Sequence, residues 1–352
     1  MKNILVIIFL MVFNNTFAQL DETFTSHNLE QERIFKPGII EKIGSVYLSD
    51  VDLFRPELVV FDSASKKLLV YDYAYRNLYA IQLENISGTE IIDVLELGDG
   101  AGSGPREFRN PTDLCLSGSG KERRVVIIDP DLGRVSIWGV EKDNFISSFR
   151  PEKFLPIRLA CNEEKIILYN AGFQEEGEFA VYDYEGNLVS YLKEHNQRIE
   201  TNISGMEGGF LDMNDSVVVF TRTDVELMKK YDHQSMQFVG KELFVNANLE
   251  QSEIVTTNNG DEIITKRSDE FIYRSRGVGF FKDYIVMLYS GREDSYSKTI
   301  DFYKIESLEY EFSVQTERYI NRLVINNEVL TLRTYDEERK ENYLEFYRLT
   351  TN

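Results

Sequence analysis

Hydrophobic residues in this chain fall in short runs, each closed by Asp, Ser, Asn or Gly, and the runs come in groups of four. From Pro56 the first group reads Leu58–Phe61, Leu68–Tyr71, Leu78–Ile81 and Ile91–Leu95. Short β-branched and aromatic runs bounded by turn residues predict strands, so each group of four predicts one antiparallel meander. A second group follows at Thr112–Leu116, Val125–Asp129, Arg134–Trp138 and Phe145–Phe149. A third runs Ile157–Cys161, Lys165–Asn170, Glu178–Tyr184 and Asn187–Leu192, with Tyr184 to Asn187 as a tight-turn signal. The fourth is Gly209–Met213, Val217–Thr221, Glu226–Tyr231 and Phe238–Phe244, and the fifth is Val278–Phe281, Tyr284–Tyr289, Thr299–Lys304 and Tyr310–Val314.

The last group, Tyr319–Ile325, Val329–Arg333 and Tyr343–Leu349, lacks a fourth strand. Near the other end, Ile39–Leu48 reads as a strand with no hairpin partner. Together they predict a ring of six four-stranded blades closed by the N-terminal strand, which removes the open edges of an unclosed row. Second strands starting near Leu68, Arg124, Lys165, Ser216, Tyr284 and Glu328 give offsets of 56, 41, 51, 68 and 44 residues, approximating the period of a propeller blade. The fold class is therefore all-β, a six-bladed β-propeller forming one domain over residues 19–352. A β-sandwich has no room for six similar meanders, and the most helix-like patch, Asp224–Tyr231, alternates as well as it spirals. The polar insertion Asn246–Arg276 exceeds an ordinary connection and predicts a cover or an extended hairpin.

The ends and the cysteines place the chain in a compartment. Met1 and Lys2, the apolar run Ile4–Phe13 and the small-residue pattern ending at Ala18 read as a signal peptide over residues 1–18, so a periplasmic or secreted protein beginning near Gln19 is expected. The run is too short for an anchor, no cysteine for a lipid lies near the cleavage point, and no later run could span a bilayer. Gln19–Lys36 is polar and predicts an exposed lead-in. Cys115 and Cys161 could oxidise there. Counted from Pro111 and Pro156, however, they fall on opposite faces of their strands, so two buried thiols are expected rather than a bridge.

Charge narrows the partners. With 39 Lys+Arg against 59 Asp+Glu the formal charge is −20, which disfavours nucleic acid and anionic membrane surfaces. The 20 Tyr and 23 Phe suit pleated, half-buried surfaces.

The most regular unit is Gly98–Trp138. Its Gly104, Pro105, Glu107, Phe108, Pro111 and Asp113, followed by Val126–Asp129 and Gly133–Val135, resemble the NHL repeat of six-bladed β-propellers. Elsewhere only the strand rhythm matches, as in divergent NHL-like and TolB-like propellers exported by bacteria. That resemblance implies a binding scaffold for proteins, RNA or glycans. Related six-bladed propellers include lactonases and lyases with a metal in the central channel. Fold follows from this more firmly than function.

Candidate chemistry is sparse. The loop Gly98–Gly104 lacks the Gly-Lys-Ser/Thr and the helix of a phosphate cradle and reads as an inter-blade loop. Asp129 and Asp131 could offer oxygens to Ca²⁺ but have no local carboxylate cluster, so a turn-forming role is expected, and no metal site or cofactor is assigned. Glu175–Glu176 and Asp336–Glu338 read as solvated loop faces. None of His27, His195 and His233 falls at the start of an innermost strand, and no Gly-x-Ser-x-Gly elbow occurs.

The sharper pattern is basic. Arg55, Arg109, Arg158, Arg276 and Arg322 each lie at or just before the first strand of a blade, where they would converge on the central opening. Arginine's planar fork suits carboxylate and phosphate. The competing role is stapling of blades through Glu57, Glu107 or Asp113. Phe54, Phe108 and Phe210 lie near the same openings, where an aromatic could stack a sugar. Phe108 joins the arginines as a candidate ligand-binding residue, although blade packing is its commoner use. The expected function is a binding or scaffold module taking a protein, a carbohydrate or another anionic ligand at the channel mouth. The alternative is a hydrolase or lyase with an anionic substrate in the channel, with Ca²⁺ as a conceivable helper.

Overall fold

A computed structural model describes residues 32–350 except 86–89, 142–144, 153–155, 171–178, 193–207, 224–226, 246–251, 257–261, 267–274, 291–296 and 327–328. The expected signal peptide, His27, His195 and Glu175–Glu176 lie outside the described residues. After β1 (Ile40–Tyr47) the first blade comprises β2 (Pro56–Asp62), β3 (Lys67–Asp72), β4 (Asn77–Leu83) and β5 (Ile91–Glu96). The second has β6 (Asp113–Ser117), β7 (Arg124–Asp129), β8 (Arg134–Gly139) and β9 (Phe145–Phe149), and the third β10 (Arg158–Cys161), β11 (Ile166–Tyr169), β12 (Phe179–Tyr182) and β13 (Leu188–Tyr191). The fourth is β14 (Gly209–Met213), β15 (Val217–Arg222), β16 (Leu227–Asp232) and β17 (Phe238–Leu243). A two-stranded hairpin, β18 (Ser252–Thr256) and β19 (Glu262–Lys266), realises the extended-hairpin expectation for the insertion. The fifth blade is β20 (Ser275–Phe281), β21 (Tyr284–Tyr289), β22 (Thr299–Lys304) and β23 (Tyr310–Gln315). The sixth joins β24 (Ile320–Asn326), β25 (Val329–Asp336) and β26 (Glu341–Leu349) to β1, in the order β1-β26-β25-β24.

The fold is a six-bladed β-propeller, and β1 supplies the missing strand. It runs antiparallel to β26, with Ile40 opposite Leu349 and Tyr47 opposite Tyr343. The innermost strands β2, β6, β10, β14, β20 and β24 neighbour one another around a closed ring.

The alternation of side chains explains why the middle strands read as unbroken apolar runs. On β3, Leu68 and Val70 pack into the core shared with the sixth blade, whereas Leu69 and Tyr71 pack into the core shared with the second. Successive residues thus enter two different interfaces, and a strand covered on both faces needs no polar side. Each of the six blade-to-blade interfaces has its own cluster of this kind. Outermost strands lose one cover and alternate, leaving Ile92, Val94 and Ile146 exposed.

Two expectations change. The lead-in is latched at its end: Lys36 N–H donates to the Ser313 carbonyl at 3.0 Å, and Ser313 N–H donates to that of Ile34 at 2.8 Å. Arg33 reaches inward to Asp301, which is fully buried, with Nε–Oδ1 at 3.1 Å and Nη2–Oδ2 at 3.1 Å, and lies over the Tyr289 ring. Composition made this stretch look solvated, but a single arginine matched to a buried carboxylate decides its place.

Cys115 and Cys161 form a disulfide, with Cα atoms 6.0 Å apart. The opposite-face placement that argued against a bridge is what permits it. The cysteines belong to neighbouring blades, and one face of β6 packs toward the opposite face of β10, within the cluster that fills the second interface.

Candidate functional site

Two buried aspartates at the ends of equivalent strands fix the loops of a cleft between the first two blades. Asp72 ends β3. Its Oδ2 accepts the backbone N–H of Arg55 at 2.8 Å, and its Oδ1 accepts those of Ala74 and Tyr75 at 2.7 and 3.1 Å. Asp129 ends β7 and repeats the arrangement. It accepts N–H groups from Arg109 at 2.7 Å, Asn110 at 3.2 Å and Leu132 at 3.3 Å. Both carboxylates are nearly inaccessible to solvent, so their charge is met by oriented amides, the arrangement that buried ions require. Asp129 therefore spends its oxygens on the turn, in keeping with the turn-forming expectation.

The glycine-rich loop is fastened by side chains of its own blade. The Glu107 carboxylate accepts the Gly104 N–H at 2.6 Å, while Arg134 donates to the Gly104 carbonyl at 2.6 Å and to the Glu107 carbonyl. A Cβ at Gly102 would collide with the Glu107 carboxylate, which explains glycine there by close approach rather than by phosphate binding. Phe108 closes the loop from below. It is fully buried and touches the Tyr71 and Trp138 rings, so blade packing is its role and it offers no surface to a ligand.

These supports frame a cleft of about 500 Å³ lined by Arg55, Tyr73, Arg76, Ala101, Gly102, Ser103, Arg109, Asn110 and Asp131. It brings two of the expected arginines, Arg55 and Arg109, to one place and adds a third, Arg76. Arg55 bonds Glu57 at 2.9 Å with two thirds of its side chain still exposed, and Arg109 donates to Ser103 Oγ at 2.9 Å. Arg76 holds the left-handed turn position, φ 52°, that Gly133 holds in the next blade, φ 55°. The signal for it was legible: the turns after Asp72 and Asp129 have the same length, and aligning them puts Arg76 at the mouth.

The other expected arginines lie deeper. Arg158 donates to the carbonyls of Gly209 at 2.9 Å, Thr112 at 3.2 Å and Ile157 at 2.9 Å, and it overlies the Phe210 ring at 5.2 Å. Burial pulls its basicity down, with Asp113 opposing the effect. Arg322 pairs with Asp113, whose other oxygen accepts the Leu159 N–H at 3.2 Å. Arg276 bonds Ser290 Oγ at 3.2 Å and overlies Tyr319 at 5.4 Å. Arg333, absent from the expected set, donates to the Pro56 and Glu57 carbonyls. The contacts of Arg158, Arg322 and Arg333 join the second blade to the third and sixth, the third to the fourth and the sixth to the first, as the stapling role requires, whereas the Arg276 bond to Ser290 stays within the fifth blade.

Tyr73 links the two levels. Its hydroxyl donates to the Pro111 carbonyl, and burial, with the Glu57 carboxylate adding to it, pushes its pKa up to about 12, while Arg322, Arg158 and Arg55 lie near enough to oppose the rise. Further along the channel, Asp212 on β14 accepts the Met213 N–H at 2.9 Å. Its surroundings raise its pKa to about 7, through burial first and the Asp113 carboxylate as well. Among the described residues no group of three or more His, Cys, Asp or Glu is arranged to hold a metal ion. His233 lies in the turn after β16 and is buried at the edge between the third and fourth blades, with Nε2 at 2.9 Å from Asn162 Nδ2.

No protein-family model matches the chain, and no curated protein matches it. Among solved structures, an exported protein from Bacteroides fragilis superposes with a TM-score of 0.59 at 14% identity, over 94% of this chain and 98% of that one. BamB from Moraxella catarrhalis covers the same shares at 13% identity with a TM-score of 0.45. The first likeness is one of fold, and the second is too loose to carry an argument. No helix among the described residues is long and apolar enough to cross a membrane.

Proposed function

We propose that the protein is an exported, non-catalytic binding module, a single propeller domain following a cleaved signal peptide, which takes an anionic ligand at the channel mouth. The observation that carries this reading is the convergence of Arg55, Arg76 and Arg109 on one cleft in a chain of net charge −20. Like charges gathered against the overall sign attract a specific anion while the rest of the surface repels others. Preset loops reduce the ordering cost of binding: Asp72 and Asp129 fix the backbone of Arg55, Tyr75, Arg109 and Asn110 before any ligand arrives.

Calorimetric titration with citrate tests this. Binding should weaken as salt rises and should fall by about tenfold or more in Arg55→Ala/Arg76→Ala, each lost charge-assisted contact being worth about 1.5 kcal/mol. Citrate binding that ignores both salt and the double substitution would refute the reading.

A further inference from the structure

The rim of the cleft carries features that a bare anion would not use. Phe54 and Tyr75 directly precede Arg55 and Arg76 in the chain, and their rings meet at 5.8 Å. Phe54 is 70% exposed and Tyr75 46% exposed, although large apolar rings are normally covered. Their backbones belong to the two loops that Asp72 ties together, the same loops that carry Arg55 and Arg76 to the cleft. The cleft also contains a carboxylate, Asp131, and the neutral polar groups of Ser103 and Asn110. A site for a simple polyanion or an acidic peptide gains little from Asp131, which repels carboxylates and finds on such a ligand at most backbone amides as donors. A ligand bearing both carboxylates and hydroxyls satisfies every group: the arginines take the carboxylate, Asp131 and Asn110 take the hydroxyls, and flat C–H faces cover the rings.

We infer that the ligand is an acidic oligosaccharide, a chain of uronate sugars held by Arg55, Arg76 and Arg109 and stacked on Phe54 and Tyr75. This rests on the proposed reading of the mouth as an anion site and names the ligand class for it. Aromatic faces favour the apolar side of a pyranose, and arginine forks favour the carboxylate in its plane. The preference for glycan over acidic peptide comes from Asp131, because a peptide of Asp and Glu offers that carboxylate only its backbone amides.

The test uses the mature protein with four probes: tetragalacturonate, neutral cellotetraose, tetraglutamate and citrate. Tetragalacturonate should bind about tenfold or more tighter than either tetramer control. Phe54→Ala should weaken tetragalacturonate by about five- to tenfold, as loss of an aromatic anchor does, and leave citrate unchanged. Asp131→Asn should weaken tetragalacturonate but tighten tetraglutamate. Phe54 is exposed, so its replacement leaves the core intact, and an unchanged melting temperature confirms this. If citrate binds through the arginines while tetragalacturonate gains nothing over tetraglutamate, the glycan inference fails and the anion reading stands. If Phe54→Ala weakens citrate and tetragalacturonate equally, stacking is refuted. If none of the anionic probes binds, both fail.

Discussion

The Asp129 carboxylate accepts the backbone N–H of Arg109 at 2.7 Å, and one blade earlier Asp72 accepts that of Arg55 at 2.8 Å. A residue at the end of a second strand thus positions a residue ahead of a first strand, and two copies of that device set two of the three arginines of the cleft.

Removal of either aspartate should therefore affect both stability and binding. Asp129→Ala leaves the Arg109, Asn110 and Leu132 amides without their acceptor, at about 0.5–1.5 kcal/mol for each part-buried bond lost, and lowers the melting temperature. It should also weaken citrate binding although no ligand contact is deleted. Asp129→Asn, which keeps one acceptor oxygen, should recover part of each effect. Thermal melts and titrations on the same samples provide the check.

The disulfide gives a second expectation. Cys115 and Cys161 are 46 residues apart in sequence, and opening a loop of that size costs about 4 kcal/mol by the chain-entropy relation. Melts with and without reductant should differ clearly for the wild-type protein. In Cys115→Ser/Cys161→Ser they should coincide at the lower temperature.

His233 should make the protein acid-sensitive. Burial, with Lys165 adding to it, holds its pKa below the ordinary imidazole value, and its buried Nδ1 has no hydrogen-bond partner among the described residues. The unfolded chain therefore takes up the proton first. Stability is full above the ordinary histidine pKa and falls as pH drops through the lowered one. His233→Gln should flatten denaturant midpoints measured in that window.

Asp212 has the opposite sign. Its folded pKa of about 7 lies above the usual carboxylate value, so the folded protein holds a proton that the unfolded chain has released. Stability should decline as pH rises from about 4 to 7, and Asp212→Asn, neutral throughout, should remove that decline. The variant should be more stable than wild type at pH 8 by up to about 4 kcal/mol, the rise of about three pKa units counting 1.36 kcal/mol each. Chemical denaturation at pH 5 and pH 8 measures it.

The blade count and the closing strand were legible because every blade repeats one physical requirement, middle strands apolar on both faces between polar turns, and because the sixth group stops one strand short. The arginine positions were legible as positions and not as partners. Arg55 and Arg158 occupy similar sequence places, yet Arg55 is exposed at the mouth while Arg158 turns onto the Gly209 and Thr112 carbonyls of the adjoining blades. Which course each takes depends on the neighbouring blade, some fifty residues distant. The disulfide is illegible for a related reason: strand periodicity gives the face of each cysteine within its own strand, whereas the bond depends on how two blades oppose each other. Arg33 had no local signal at all, because its partner Asp301 is 268 residues away.

Whether the anion sits in the cleft is decided by setting Arg109→Ala beside Arg158→Ala in the same citrate titration. Arg109→Ala should lose about tenfold or more in affinity with its melting temperature nearly kept, since its guanidinium lines the cleft and, among the described residues, bonds only Ser103. Arg158→Ala should melt earlier, because three carbonyls lose a donor, and should still bind citrate with an affinity close to wild type. The reverse pattern, affinity lost at Arg158 and kept at Arg109, would rule out an anion site at the cleft and move the ligand deeper, onto Arg158.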